Sequence, residues 1–288
     1  MKWLGIMAVR QFDMKMLNLL FQRETRLPIL ALAFASGTVV ALVIARIIVT
    51  HNINYAFLVW NLFLAWLPLI FALLAREEYA RQPRSNAPTP APSKEGSVLE
   101  RALAKVPLLG GVRGGFVRNQ NWRFTSLAGA WLLFFPNAPY IFTDFIHLIY
   151  GSYRHFWVDL TLILMCALTG FVLGFVSLYL MQSVVRRIYG QIASWLFVVV
   201  VAGLSGFGIY LGRFLRLNSW DVIAKPVKLY HGISSWAADP LASSNSFAFP
   251  VLFATFVFLA YVMLYALTHL PSAVHLQAGF KAGSPSPA

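Results

Sequence analysis

The stretch WLLFFPNAPYIFTDFIHL, residues 131–148, decides how this chain is read. It is apolar enough to lie in a membrane, yet it carries Pro136, Asn137, Pro139, Thr143, Asp144 and His147. A plain membrane-spanning helix needs none of them. Two prolines three residues apart remove two backbone donors, so the stretch is expected to kink or break. Asp144 and His147 stand at i and i+3 and share a face if the segment is helical. Ionisable groups at membrane depth are expensive, and they face a protein interior or a cavity. The segment is therefore the expected polar heart of a membrane protein.

The rest of the composition agrees. Of 288 residues, 59% are hydrophobic and 11% charged, and the mean hydropathy is +0.67. A soluble domain holds about 25% charged residues. The net charge of +13 would suit nucleic acid, but its basic residues fall between apolar segments, as topogenic charges do. The expected partner is the lipid bilayer, with no nucleic acid. The one cysteine, Cys166, lies in an apolar run and excludes an intrachain disulfide or a cysteine-based zinc site. The N-terminal apolar run, residues 3–9, is short, is closed by Arg10 and lacks a small-residue cleavage site, so it does not read as a secretory signal. Gln11, Lys15, Asn18 and Gln22 form one helical stripe. An amphipathic helix lying on the membrane surface is expected there, with anionic headgroups as possible contacts.

Six segments meet the requirement of about 20 mostly apolar residues. They are 28–49, 55–75, 124–149, 157–181, 192–217 and 247–270. The expected fold is all-α: a polytopic integral membrane protein with six transmembrane helices and an N-terminal amphipathic interfacial helix. The expected divisions are a basic N-terminal segment (1–27), two spans (28–75), a cytoplasmic Pro/Gly/Arg-rich linker (76–122), four spans (123–270) and a disordered tail (271–288). Within the linker, Pro83, Pro88, Pro90 and Pro92 favour extended chain. Its glycines and arginines match no nucleotide-binding spacing.

With the N-terminus inside, seventeen Lys and Arg fall on the inner side and six on the outer. The positive-inside rule then places both termini in the cytoplasm. The same topology puts several polar residues near outer helix ends. They are Asn61, Asn137, Asp144, His147, Asp159, Arg213, Arg216, Asn218 and Asp221, and together they form the candidate ligand-binding or polar cluster. Three readings compete. The charges can pair and only lock helices. They can line a site for a small or lipid-like ligand, with Arg213 and Arg216 suited to a phosphate. Asp144-x-x-His147 with Asp159 can supply oxygen and imidazole to a metal, which would make the protein a metal-dependent membrane enzyme. No zinc-protease motif accompanies the last reading. A triad of Ser205, His147 and Asp144 lacks a nucleophile elbow. No cofactor is indicated. Gly170-x-x-x-Gly174 and Gly208-x-x-x-Gly212 are small-residue faces that let backbones approach closely.

Four stretches carry a family resemblance: NLFLAWLPL (61–69), the stretch 131–148, GFVLGFVSLYLMQ (170–182) and LSGFGIYLGRFLRLNSWD (204–221). The chain from about residue 55 to 270 resembles the bacterial membrane family called domain of unknown function 1361. The distinctive parts are PNAPY-x-x-TD-x-x-H and GIYLGRF-x-R-x-NSWD. The resemblance implies a multi-spanning protein of a bacterial membrane and brings no activity or substrate. The basic N-terminus and the Pro-rich linker look like additions to the shared body.

Overall fold

A computed structural model describes residues 23–51, 53–81, 121–149, 155–239 and 244–269. The expected amphipathic helix over 3–21, most of the linker and the tail lie outside them. Among the described residues the structure is helical, without strands. The elements are α1 (Arg23–Thr50), α2 (Ala56–Arg81), α3 (Asn121–Phe134), α4 (Asn137–Tyr140), a 3₁₀ helix (Ile141–Leu148), α5 (Phe156–Phe214), α6 (Asp221–Ala224), α7 (Pro226–Ala238) and α8 (Ser244–Thr268).

Four helices are long and apolar enough to cross a membrane: Leu27–Thr50, Ala56–Arg81, Phe156–Phe214 and Ser246–Thr268. Three of the six expected helices therefore need restating. The expected spans over 157–181 and 192–217 are one run of 59 residues, α5. As a straight helix it would reach about 90 Å, three times a hydrocarbon core of about 30 Å. It is not straight. Gly190 leaves the helical region, with φ +87° and ψ −179°, a conformation that L side chains rarely adopt. The limbs on either side fold back on each other. The Trp131 indole N–H donates to Ser177 Oγ of the first limb at 3.2 Å, and its ring stacks on Phe197 of the second at 5.7 Å. Tyr265 of α8 likewise meets both limbs, at Tyr179 and Trp195.

The expected helix over 124–149 is not continuous. α3 ends at Phe134, a turn follows, and α4 passes directly into the 3₁₀ helix. The reason is the missing N–H groups of Pro136 and Pro139. The carbonyls freed by the break are partly taken over locally. Ala138 N–H donates to Phe135 O at 3.1 Å, and Asn137 Nδ2 donates to Phe134 O at 2.9 Å. Irregular backbone is tolerated at membrane depth only where protein surrounds it. Here the glycine pairs provide that surround. A Cβ at Gly170 or Gly174 would meet Ile141 and Ala138; one at Gly208 or Gly212 would meet Pro136 and Tyr140. The first limb of α5 thus presses one side of the broken segment and the second limb presses the other. A further difference is at residue 76, the expected start of the linker. α2 continues to Arg81, where Arg81 pairs with Glu77 one turn back.

The contacts sort the molecule into two ends. At one, Arg46 meets Asp159, Phe57 meets His147 and Asp144 meets Arg213. At the other, Tyr79 meets Phe124 and Trp195 meets Tyr265. The broken segment starts beside the far end of α2 and finishes beside its near end, so it travels the length of that helix. Between the ends lies an apolar core around Leu58, Leu62, Trp131, Ile163, Leu178 and Tyr261.

Candidate functional site

The carboxylate of Asp144 is buried at the polar end, with 2% of the residue exposed. α2 brings Asn61 to it, and Asn61 Nδ2 donates to Asp144 Oδ2 at 2.7 Å. The second limb of α5 brings Arg213, whose Nη1 lies 3.8 Å from Asp144 Oδ1. That spacing is an ion pair and too long for a hydrogen bond. The 3₁₀ helix places His147 one tight turn after Asp144, and its Nδ1 lies 3.0 Å from the Asp144 carbonyl oxygen. A carbonyl only accepts, so Nδ1 is the donor. The imidazole packs on Phe57 with ring centres 4.5 Å apart.

These groups line a cavity of about 710 Å³ between α2, α3 and the second limb of α5, roofed by the 217–222 loop and by Leu229 and Ile233 of α7. Asn61, Asn137, Asp144, His147, Arg213 and Asn218 all reach its wall. The polar groups cluster toward one end. The other end is apolar, with Leu64, Leu132 and Leu204.

The loop after α5 is tied to the helix break. Asn137 Nδ2 donates to Ser219 Oγ at 3.0 Å, and Ser219 Oγ–H donates to Leu133 O at 3.0 Å. The roof is tied as well. Pro250 has no N–H for the carbonyl of Ser246, and Trp236 Nε1 of α7 donates to that oxygen at 2.8 Å. Ser219, Tyr140, Phe57 and Trp60 line the cavity and were not among the sequence candidates. Ser219 stands inside the NSWD motif, next to one candidate and two residues before another, and that position is the available signal. The aromatic residues carried none, because aromatic side chains are frequent throughout the apolar segments.

Three candidates lie elsewhere. Asp159 is held by Arg46, with Nε to Oδ1 at 2.7 Å and Nη2 to Oδ2 at 3.2 Å, and Arg46 also sits over the Tyr55 ring. Arg216 is exposed and has φ +51°. It follows the last turn of α5, and the N–H of Leu217 closes back on Leu211 O, the arrangement that ends many helices with a left-handed residue. Asp221 lies behind the cavity wall and accepts the Asn218 backbone N–H at 2.8 Å. That hydrogen bond holds its carboxyl below the usual range, with help from Lys225. Among the described residues no three His, Cys, Asp or Glu side chains come together, so the metal set of Asp144, His147 and Asp159 does not assemble. Ser205 is buried and does not line the cavity that holds Asp144 and His147.

A family model described as Protein of unknown function (DUF1361) matches residues 99–265, more than half of the chain. No curated protein and no solved structure matches it.

Proposed function

Given that this chain belongs to the DUF1361 family of proteins of unknown function, we propose that it is a multi-spanning protein of the bacterial plasma membrane that binds or moves a small or lipid-like ligand through a polar cavity facing outward. The observation that carries this reading is the cavity of about 710 Å³, which has Asp144, His147 and Arg213 among its lining residues. Charges that only locked helices would close on each other. The Arg46–Asp159 pair does so, with both side chains under 10% exposed. Asp144 and Arg213 instead face a space large enough for a ligand.

Six crossings are the count this reading takes. Three single helices cross once each, the α5 hairpin crosses twice, and the broken segment crosses once along α2. The outward placement of the cavity rests on the excess of Lys and Arg in the linker and in the turn near Gly190.

The test is a thermal-shift screen of the full-length protein in a neutral detergent against small polar solutes and membrane lipids. At least one compound should raise the melting temperature of the wild type and fail to raise that of Arg213→Ala. If no compound of either class shifts the wild type, the ligand-binding reading falls.

A further inference from the structure

The cavity is open at its apolar end, and that opening specifies what fits. Gly129 of α3 and Leu204 of α5 both line it and both are exposed, Leu204 at 46%. Both belong to apolar helix surface that would face lipid, so the cavity opens sideways into the bilayer. From Leu204 to Arg213 the helix rises about 14 Å, close to half of a hydrocarbon core of about 30 Å. Trp60, half exposed on the cavity wall, meets Trp220 edge-on at 6.2 Å. Tryptophans of this kind mark the headgroup level. The space therefore has a polar chamber at the headgroup level and an apolar channel that runs toward the midplane and opens to lipid.

The polar chamber carries unused donors. Among the described residues the Arg213 guanidinium donates no hydrogen bond, and its one partner is the carboxylate 3.8 Å away. A guanidinium offers five N–H groups suited to a phosphate. A bare anion there would also meet the Asp144 carboxylate. A head that pairs its phosphate with a donor turns that repulsion into a hydrogen bond.

Resting on the ligand-binding reading above, we propose that the occupant is a glycerophospholipid whose head carries a phosphate and a hydrogen-bond donor, entering sideways from the bilayer. The phosphate sits on Arg213, the ammonium or hydroxyl turns toward Asp144, and an acyl chain lies in the channel past Leu204 and Gly129.

The test uses the full-length protein in detergent micelles and measures binding of four probes. They are dioleoyl phosphatidylethanolamine, dioleoyl phosphatidylcholine (same phosphate and chains, no donor), glycerophosphoethanolamine (same head, no chains) and dioleoylglycerol (no phosphate). The ethanolamine lipid should bind best. Arg213→Ala should weaken it about tenfold or more, the scale of a lost charge-assisted hydrogen bond. Gly129→Phe should put a ring into the channel; a Cβ there meets nothing within 4 Å, and a melting temperature equal to the wild type's is the check that the fold is kept. The substitution should weaken the lipid and leave glycerophosphoethanolamine unchanged. If glycerophosphoethanolamine binds the wild type as tightly as the lipid does, the lipid inference is overturned and the cavity remains a site for a small polar ligand. Equal binding of the ethanolamine and choline lipids overturns the donor's role. Lipid binding that survives both substitutions is binding to the protein surface and overturns the proposal, as does no binding of any probe.

Discussion

Asp144 and Asp159 are both nearly buried, both lie at the polar end, and they do different things. Asp159 forks onto Arg46 through two hydrogen bonds. Breaking a buried pair strands the remaining charge, which costs about 3–5 kcal/mol, whereas replacing both partners by apolar groups is often neutral. Arg46→Ala and Asp159→Ala should therefore each lower the melting temperature sharply, and Arg46→Leu with Asp159→Leu should recover most of the loss. A double variant no better than either single one would show that the pair is more than a lock. Spans and orientation suffice to put Asp144, Asp159 and Arg213 at one level. Lateral order decides which cation meets which carboxylate, and hydropathy does not encode it, so the sequence alone does not single out Arg46 as the partner of Asp159. Asp221 illustrates a third role, because its carboxylate holds the Asn218 turn that roofs the cavity. Its folded pKa lies below the ordinary 3.8. A depressed acid contributes stability above its unfolded pKa and loses it as pH falls through the folded value. The melting-temperature gap between wild type and Asp221→Asn should hold steady from pH 8 down to about 4. It should narrow only at lower pH. A gap that closes near neutrality would assign the effect to another group.

At the scale of elements, the two glycine pairs and the broken segment form one device. The prolines at 136 and 139 announced the break, and the G-x-x-x-G spacing announced close packing. The sequence did not reveal that these features contact each other. Small-residue faces commonly bring two helices together, and nothing in their spacing says that a short non-helical stretch fills the gap between two limbs. The hairpin in α5 was legible as two spans with Arg186 and Arg187 near the turn. Its continuity up to a single glycine was not, because one residue with φ near +87° is enough to reverse the chain. Glycines on one helix should respond differently to the same change. A Cβ at Gly206 would lie 2.2 Å from the Pro250 carbonyl oxygen and 2.8 Å from the Ala254 nitrogen, both fixed backbone of α8. Gly206→Ala should force the two helices apart and cost about 1–3 kcal/mol. Gly203, one turn earlier, has nothing within 4 Å of a Cβ. Gly203→Ala should be neutral or slightly stabilising, since alanine is the better helix former. Thermal melts of the two variants in one detergent decide the matter, and equal losses would mean that α8 does not pack as described.

For the whole molecule, the side of the membrane on which the cavity opens rests on charge, while the number of crossings rests on the path of the broken segment. Both can be tested with two cysteines. Cys166, the one native thiol, is buried, so the wild type should give little background with a membrane-impermeant thiol reagent. Ser93 lies in the linker that holds eight of the seventeen inner basic residues, and a cysteine there should stay unlabelled in intact cells and react after lysis. Ser235 is exposed on α7, between the end of α5 and the start of α8, and a cysteine there should label in intact cells. Between these positions the chain follows the broken segment and both limbs of α5, three passages in all. An odd number puts the two cysteines on opposite sides. Were the broken segment to dip in and return, the count would be even and both would share a side. Labelling of Ser93→Cys with protection of Ser235→Cys would keep the six crossings and turn the cavity toward the cytoplasm. The same response from both positions would remove the sixth crossing, and with it the argument that Asp144 and Arg213 stand at the outer headgroup level.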